Sequence, residues 1–205
     1  MFFKRFNSGM YAANCYLLAE NGKAVVIDCG VDINEFMEVV KENHLTVELI
    51  VLTHAHIDHM TEVDVMREKT GAKAAVHEYD VRGFFDVYHN GSINHGGSRT
   101  FNPPEVILKD GEVFEAGGMK FEVIHTPGHT IGCICLKHGN TLFTGDTLFK
   151  LEVGRTVNVP YSHLPQMIES IKNRLFVLDE DLEVLSGHGD ATTIGFEKKN
   201  NPEVV

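Results

Sequence analysis

No apolar run in this 205-residue chain reaches the length of a bilayer-spanning helix, so a helical membrane protein is not expected. Cysteine is sparse. Cys15, Cys29, Cys133 and Cys135 form no C-x-x-C pair, which points to buried, reduced thiols rather than a disulfide framework or a thiolate-rich structural zinc site. Positive charge is also short: 18 Lys and Arg face 29 Asp and Glu, and the formal net charge of −11 argues against a sequence-independent grip on nucleic acid. The opening stretch MFFKRFNSGMYAANCYLLAE interrupts its apolar residues with Asn, Ser and Gly. It lacks the continuous apolar segment of a signal peptide, and the cytoplasm is the expected location.

What is present is an ordinary globular composition, 43% hydrophobic and 23% charged, for which a single domain over residues 1–205 is expected. Apolar runs at Cys15–Ala19 and Lys23–Asp28 flank ENGK, and Asn-Gly between two such runs predicts a β-hairpin. Ile33, Phe36, Met37 and Val40 are spaced for a helix, VELIVLT reads as a buried strand, and TEVDVMREKTG reads as a helix ending at Gly71. AKAAVHEYD predicts another short strand. The stretch 81–104 is irregular yet aromatic, either a surface loop with anchoring rings or a cover over a site. Strands are expected at Glu105–Leu108, Glu112–Ala116, Met119–His125, CICLKH and TLFTGD, then a helix over YSHLPQMIESIKNRLF, a strand at LEVLSG and a helix over TTIGFEKKN. This order predicts an α/β (α+β) fold of two packed β-sheets with helices outside.

Chemistry concentrates where strands end. VELIVLT runs into THAHIDHM, which holds His54, His56, Asp58 and His59, and three later strand ends carry His129 in HTPGHT, Asp146 in FTGDTLF and His188 in LSGHGD. Each of the later three adjoins glycine, which permits the tight turns that bring side chains to one rim. Five histidines and two aspartates suffice for two divalent metal ions. Imidazole and carboxylate donors suit zinc first, with iron or manganese able to take the same set. Asp146 is the natural carboxylate to be shared between two cations, and open coordination positions would hold water acidified toward a hydroxide nucleophile.

THAHIDH, TPGHT, TGDTLF and SGHG, in this order, resemble the motifs of the metallo-β-lactamase-fold superfamily from the first hairpin nearly to the C-terminus. Within it, GDTLFKLEVGRT and GHGDATTIGFEKKNNP look like the compact glyoxalase II-like (hydroxyacylglutathione hydrolase-like) hydrolases. The resemblance implies an αββα sandwich of two mixed sheets, with a first metal on His54, His56 and His129, a second on Asp58, His59 and His188, and Asp146 bridging. It implies a support role for Asp28 in VIDCG, and catalysis through Asp58 and Asp146 of hydroxide attack on a small thioester or related ester. Val157 stands where the family usually has Asp after GRT, and the C-terminal helical domain of full-length glyoxalase II is expected to have no counterpart after His188.

Arg155 is a candidate contact for an anionic substrate tail, with a structural salt bridge the equal alternative. Phe84, Tyr88 and His89 are candidates for the site entrance, with packing the favoured role, and no catalytic role is assigned to Tyr161 or His163. The same motifs also occur in persulfide dioxygenases, which resemble a mononuclear iron triad, here His54, His129 and Asp146. Lactone hydrolysis is a third activity compatible with the nucleophile, and a non-catalytic metal-binding scaffold is the remaining class.

Overall fold

The computed structural model describes residues 1–95 and 97–205. Among these residues twelve strands form two six-stranded mixed sheets. The first contains β1 (Phe2–Phe6), β2 (Cys15–Glu20), β3 (Lys23–Ile27), β4 (Thr46–Val51), β5 (Lys73–His77) and β6 (Val106–Leu108) in chain order. The second runs in reverse order from its far edge, with β7 (Val113–Ala116), β8 (Met119–His125), β9 (Ile134–His138), β10 (Thr141–Gly145), β11 (Glu183–Ser186) and β12 (Thr192–Thr193). Strands β3 to β6 pair parallel, as do β10 and β11, while the remaining pairings are antiparallel.

Strict alternation of side chains explains the layering. In β3, Val25 and Ile27 face the second sheet, where they meet Phe121, Val123, Ile134, Leu136 and Phe143 in the inter-sheet core. Their neighbours Ala24 and Val26 face outward, against Phe36, Val40, Val63 and Met66 of α1 (Ile33–Glu42) and α3 (Val63–Thr70). On the opposite outer face, Ile124, Cys135, Leu142 and Val184 pack on Met167 and Ile171 of α4 (Leu164–Ser170) and the π turn Ile171–Leu175 that continues it, and on Ile194 of α5 (Ile194–Asn200). The outcome is the expected sandwich, helices outside two facing sheets.

The hairpin closes as its sequence requires, with Asn21 and Gly22 both at positive φ, 51° and 82°, the geometry of a type I′ turn. A further strand, β1, precedes it and pairs antiparallel with β2. FFKRF escapes pattern recognition because only Phe6 is buried and the intervening residues lie on an exposed edge. Asp32 caps α1 by accepting from the amides of Asn34 and Glu35, and α3 ends at left-handed Gly71, as predicted. All four cysteines are buried free thiols.

Residues 81–95 and 97–104 fold as an anchored loop. Two short 3-10 turns, Val81–Phe84 and Ser92–Asn94, are pinned by buried Phe84 and Phe101, and the Asn90 side chain donates to the carbonyls of Gly83 (2.8 Å) and Arg99 (3.0 Å). The amide of Ile57 donates to the Asn90 carbonyl at 2.8 Å, so the loop holds the start of α2 (Ile57–Met60). No helix among the described residues is long and apolar enough to cross a membrane.

Candidate metal centre

The carboxyl ends of β3, β4, β8, β10 and β11 meet at one rim of the sandwich, and the loops leaving them carry every candidate ligand. Extended backbone before α2 places His54 and His56 on one side, and the turn into α2 brings Asp58 and His59 round to a neighbouring position. Gly30 permits this, because a Cβ there would collide with the Asp58 carbonyl. Gly187 does the same beside Asp146 and His59.

The structure brings all seven predicted residues together. Their donor atoms form three overlapping groups, each within 4.8 Å: His54, His56 and His129; His54, His59 and Asp146; and Asp58, His59 and His188. His56 Nδ1 and His129 Nε2 face each other at 2.8 Å, and His59 Nε2 and His188 Nε2 at 3.3 Å. Asp146 lies between the two histidine sets, with Oδ1 3.2 Å from His59 Nε2, and Oδ2 3.4 Å from His129 Nε2 and 3.5 Å from His188 Nε2. His54 Nε2 and Asp146 Oδ1 are buried without a hydrogen-bond partner. Orphaned buried polar atoms are rare and costly, and two of them aimed into one nitrogen and oxygen cluster fit a cation held by these residues.

Three buried clamps hold the loops. Asp28 accepts from the Thr53 amide, the Thr53 hydroxyl and His59 Nδ1, each at 2.8 Å. That arrangement leaves His59 Nε2 free to act as a donor atom. Asp80 accepts from the Ala55 amide, the Thr130 hydroxyl, the Gly132 amide and His89 Nε2. Asn14 and Tyr16 both donate to the Ser186 carbonyl, at 2.9 and 2.6 Å, and so fix the turn before His188. His129 Nδ1 donates to the Arg155 carbonyl at 2.7 Å, and His188 Nδ1 to the Tyr11 carbonyl at 3.2 Å.

The electrostatics differ between the two sets. Burial first, then neighbouring imidazoles, keeps His54 well below the usual histidine range and pushes His56 down to about 3. Burial works the same way on His59, but Asp146, Asp28 and Asp58 overcome it and raise His59 well above that range. Burial also opposes the charged form of His188, whose contact with Asp58 raises it nonetheless. Asp58 and Asp146 stay below the ordinary carboxylate range: burial would raise them, and His59 foremost among the imidazoles prevails.

A cleft of about 620 Å³ opens over the cluster, lined beyond it by Ile57, Phe149, Val159, Asn90, Asn94 and Arg155 among others. Arg155 makes no ion pair among the described residues, and its Nε donates to the Val157 carbonyl at 2.9 Å. Phe84 and His89 are buried behind the wall and Tyr88 points to solvent, so the entrance is formed by other members of the loop, including His95, whose Nδ1 lies 2.6 Å from the Tyr11 hydroxyl. Sequence reasoning missed Asp80, Asn14, Tyr16 and this Tyr11–His95 pair. For Asp80 a signal existed: like Asp28, it follows the carboxyl end of a parallel strand.

A family profile described as the metallo-beta-lactamase superfamily matches residues 9–188. Among curated relatives, the hydroxyacylglutathione hydrolase GloC of Haemophilus influenzae is 31% identical over 94% of this chain and 92% of its own. Among solved structures, the BLEG-1 B3 metallo-beta-lactamase superposes with a TM-score of 0.94 at 33% identity, covering 99% of both chains. TTHA1623 in a di-iron-bound form superposes with a TM-score of 0.81 at 28% identity over 98% of this chain and 99% of its own.

Two predictions arise from this geometry. In Gly187→Ala the new methyl would collide with Asp146 Oδ1 and lie 2.7 Å from His59 Cε1, so the variant should stay folded yet retain at most half the parent's metal after gel filtration. Parental metal content would show that the cluster does not depend on this close packing. The second concerns stability in metal-free protein. His54 and His56 resist protonation in the fold but take protons near their usual range when unfolded, so stability present above about pH 6.5 is lost as pH falls toward about 3. The raised His59 and His188 contribute no slope below their unfolded value, and the lowered carboxylates contribute only below about pH 4. His56→Asn should therefore flatten the fall of Tm between about pH 6.5 and 4.5. An unchanged slope would remove His56 from this account.

Proposed function

The chain belongs to the metallo-beta-lactamase superfamily, and on that premise we propose that it is a dinuclear metal hydrolase of a small thioester of the acyl-glutathione type. The observation that carries this reading is the position of Asp146, whose carboxylate reaches both histidine sets, with Oδ2 3.4 Å from His129 Nε2 and 3.5 Å from His188 Nε2, and Oδ1 3.2 Å from His59 Nε2. One set is His54, His56 and His129; the other is Asp58, His59 and His188. A divalent pair, zinc first and iron or manganese by the same donors, supplies Lewis acidity that polarises a carbonyl and activates water at neutral pH.

The chain's own groups set the rest. Asp146 ties the two halves, and its depressed pKa keeps it an anion throughout the working range. Asp58 remains ionised for the same reason and keeps His188 turned inward through a 3.4 Å contact. Ile57, Phe149, Val159 and Pro160 give the cleft an apolar wall for an acyl group, while Asn94 and Asn158 offer amides to a peptide-like carrier. Arg155 is a cation without an ion-pair partner among the described residues, and it suits a carboxylate on the substrate's distal end.

Asp58→Ala separates this chemistry from its rivals. The variant should fold, bind one metal equivalent in place of two, and lose S-lactoylglutathione hydrolysis by at least ~100-fold. A folded variant with parental metal content and rate would overturn the two-metal reading. One iron per chain with persulfide-dependent oxygen uptake would replace it with dioxygenase chemistry, and turnover of a β-lactam but no thioester would reassign the substrate.

A further inference from the structure

We propose that Asp80 is a positioning residue dedicated to one half of the cluster, the His54, His56 and His129 set, and that its carboxylate governs how tightly that half holds a metal ion. The inference rests on the two-metal reading and concerns residues that the ligand motifs do not include. Asp80 is fully buried, and each of its carboxylate oxygens accepts two hydrogen bonds. Oδ2 takes the amide of Ala55 at 3.0 Å and the hydroxyl of Thr130 at 2.8 Å. Ala55 lies between His54 and His56, and Thr130 follows His129 directly. A single oxygen atom thus fixes the spacing between the two loops that deliver all three imidazoles. Oδ1 takes the Gly132 amide and His89 Nε2, each at 3.1 Å, and Gly132 leaves no room for a Cβ, which would sit 2.6 Å from Asp80.

The other half has different support. Asp28 grips His59, the Tyr11 carbonyl accepts from His188, and Asn14 and Tyr16 hold the turn before it. None of the four bonds to Asp80 reaches Asp58, His59 or His188. Four donors converge on Asp80, so an amide nitrogen in place of either oxygen would set donor against donor. Asp80→Asn therefore keeps the shape and removes the grip. Loss of such an outer hydrogen-bonding partner costs about 10–100-fold in metal affinity.

The test uses the full chain loaded with zinc alone and follows zinc release to a colorimetric chelator, counting equivalents and rates. The parent should release two equivalents. Asp80→Asn should hold one equivalent with parental kinetics and release the other about 10–100-fold faster. Combined with Asp58→Ala, which empties the opposite half, Asp80→Asn should leave no slowly released zinc. Should Asp80→Asn fail to fold, His89→Phe removes only the Oδ1 bond from the ring and should speed release of the same equivalent more mildly. Parental release from a folded Asp80→Asn, with only Tm lowered, would reduce Asp80 to fold support and overturn the inference. So would a double variant that still holds zinc as firmly as Asp58→Ala alone. A parent that binds no zinc would sink the metal reading itself, and this inference with it.

Discussion

Everything at the rim of this sandwich depends on holding seven ligand-type side chains close together, imidazole against imidazole, with His54 Nε2 and Asp146 Oδ1 left without a hydrogen-bond partner. Left alone, such groups would rotate away to find donors and acceptors, because an unsatisfied buried polar atom costs about 1–3 kcal/mol. The fold prevents this by spending other buried groups on the loops. Asp28, Asp80, Asn14 and Tyr16 together hold the backbones around Thr53, Ala55, Thr130 and Ser186. His54 Nε2 and Asp146 Oδ1 remain unpartnered because their surroundings cannot relax. Parallel pairing of β3 through β6 supplies the rigid platform, since it sends successive strand ends to the same side.

The two halves of the cluster are not equivalent, and this asymmetry has a chemical consequence. His54 and His56 are kept neutral by burial first, then by His59 beside His54 and His129 beside His56, so their lone pairs are available down to acid pH. His59 and His188 lie among carboxylates that stabilise their protonated forms. Under the proposed two-metal reading, a cation entering the second half must displace protons that one entering the first does not. Affinity there falls more steeply with acid.

The candidate ligands were legible in the sequence because their residue types are unusual for core positions and each sits where an apolar run stops at glycine or turns into a helix. The two-sheet order was legible for a related reason: Val25, Val26 and Ile27 are apolar without a break, as a strand covered on both faces requires, whereas Phe121, Glu122 and Val123 alternate as a strand with one covered face does. The clamps were less visible. The place of Asp80 after a parallel strand was a signal, but its partners Ala55, His89, Thr130 and Gly132 lie up to 52 residues away in the chain, and only the fold identifies them. Residues 81–104 looked irregular because their order comes from Asn90 side-chain bonds and two buried phenylalanines, with no periodic pattern. β1 was hidden by its exposed face.

The central claim is that these seven side chains hold a pair of ions with Asp146 between them. The most direct measurement is an anomalous difference map from crystals of protein purified with zinc, recorded at the zinc edge. Two peaks are predicted, one among His54, His56, His129 and Asp146, the other among Asp58, His59, His188 and Asp146. A single peak, or two peaks that leave Asp146 uncoordinated, would contradict the account.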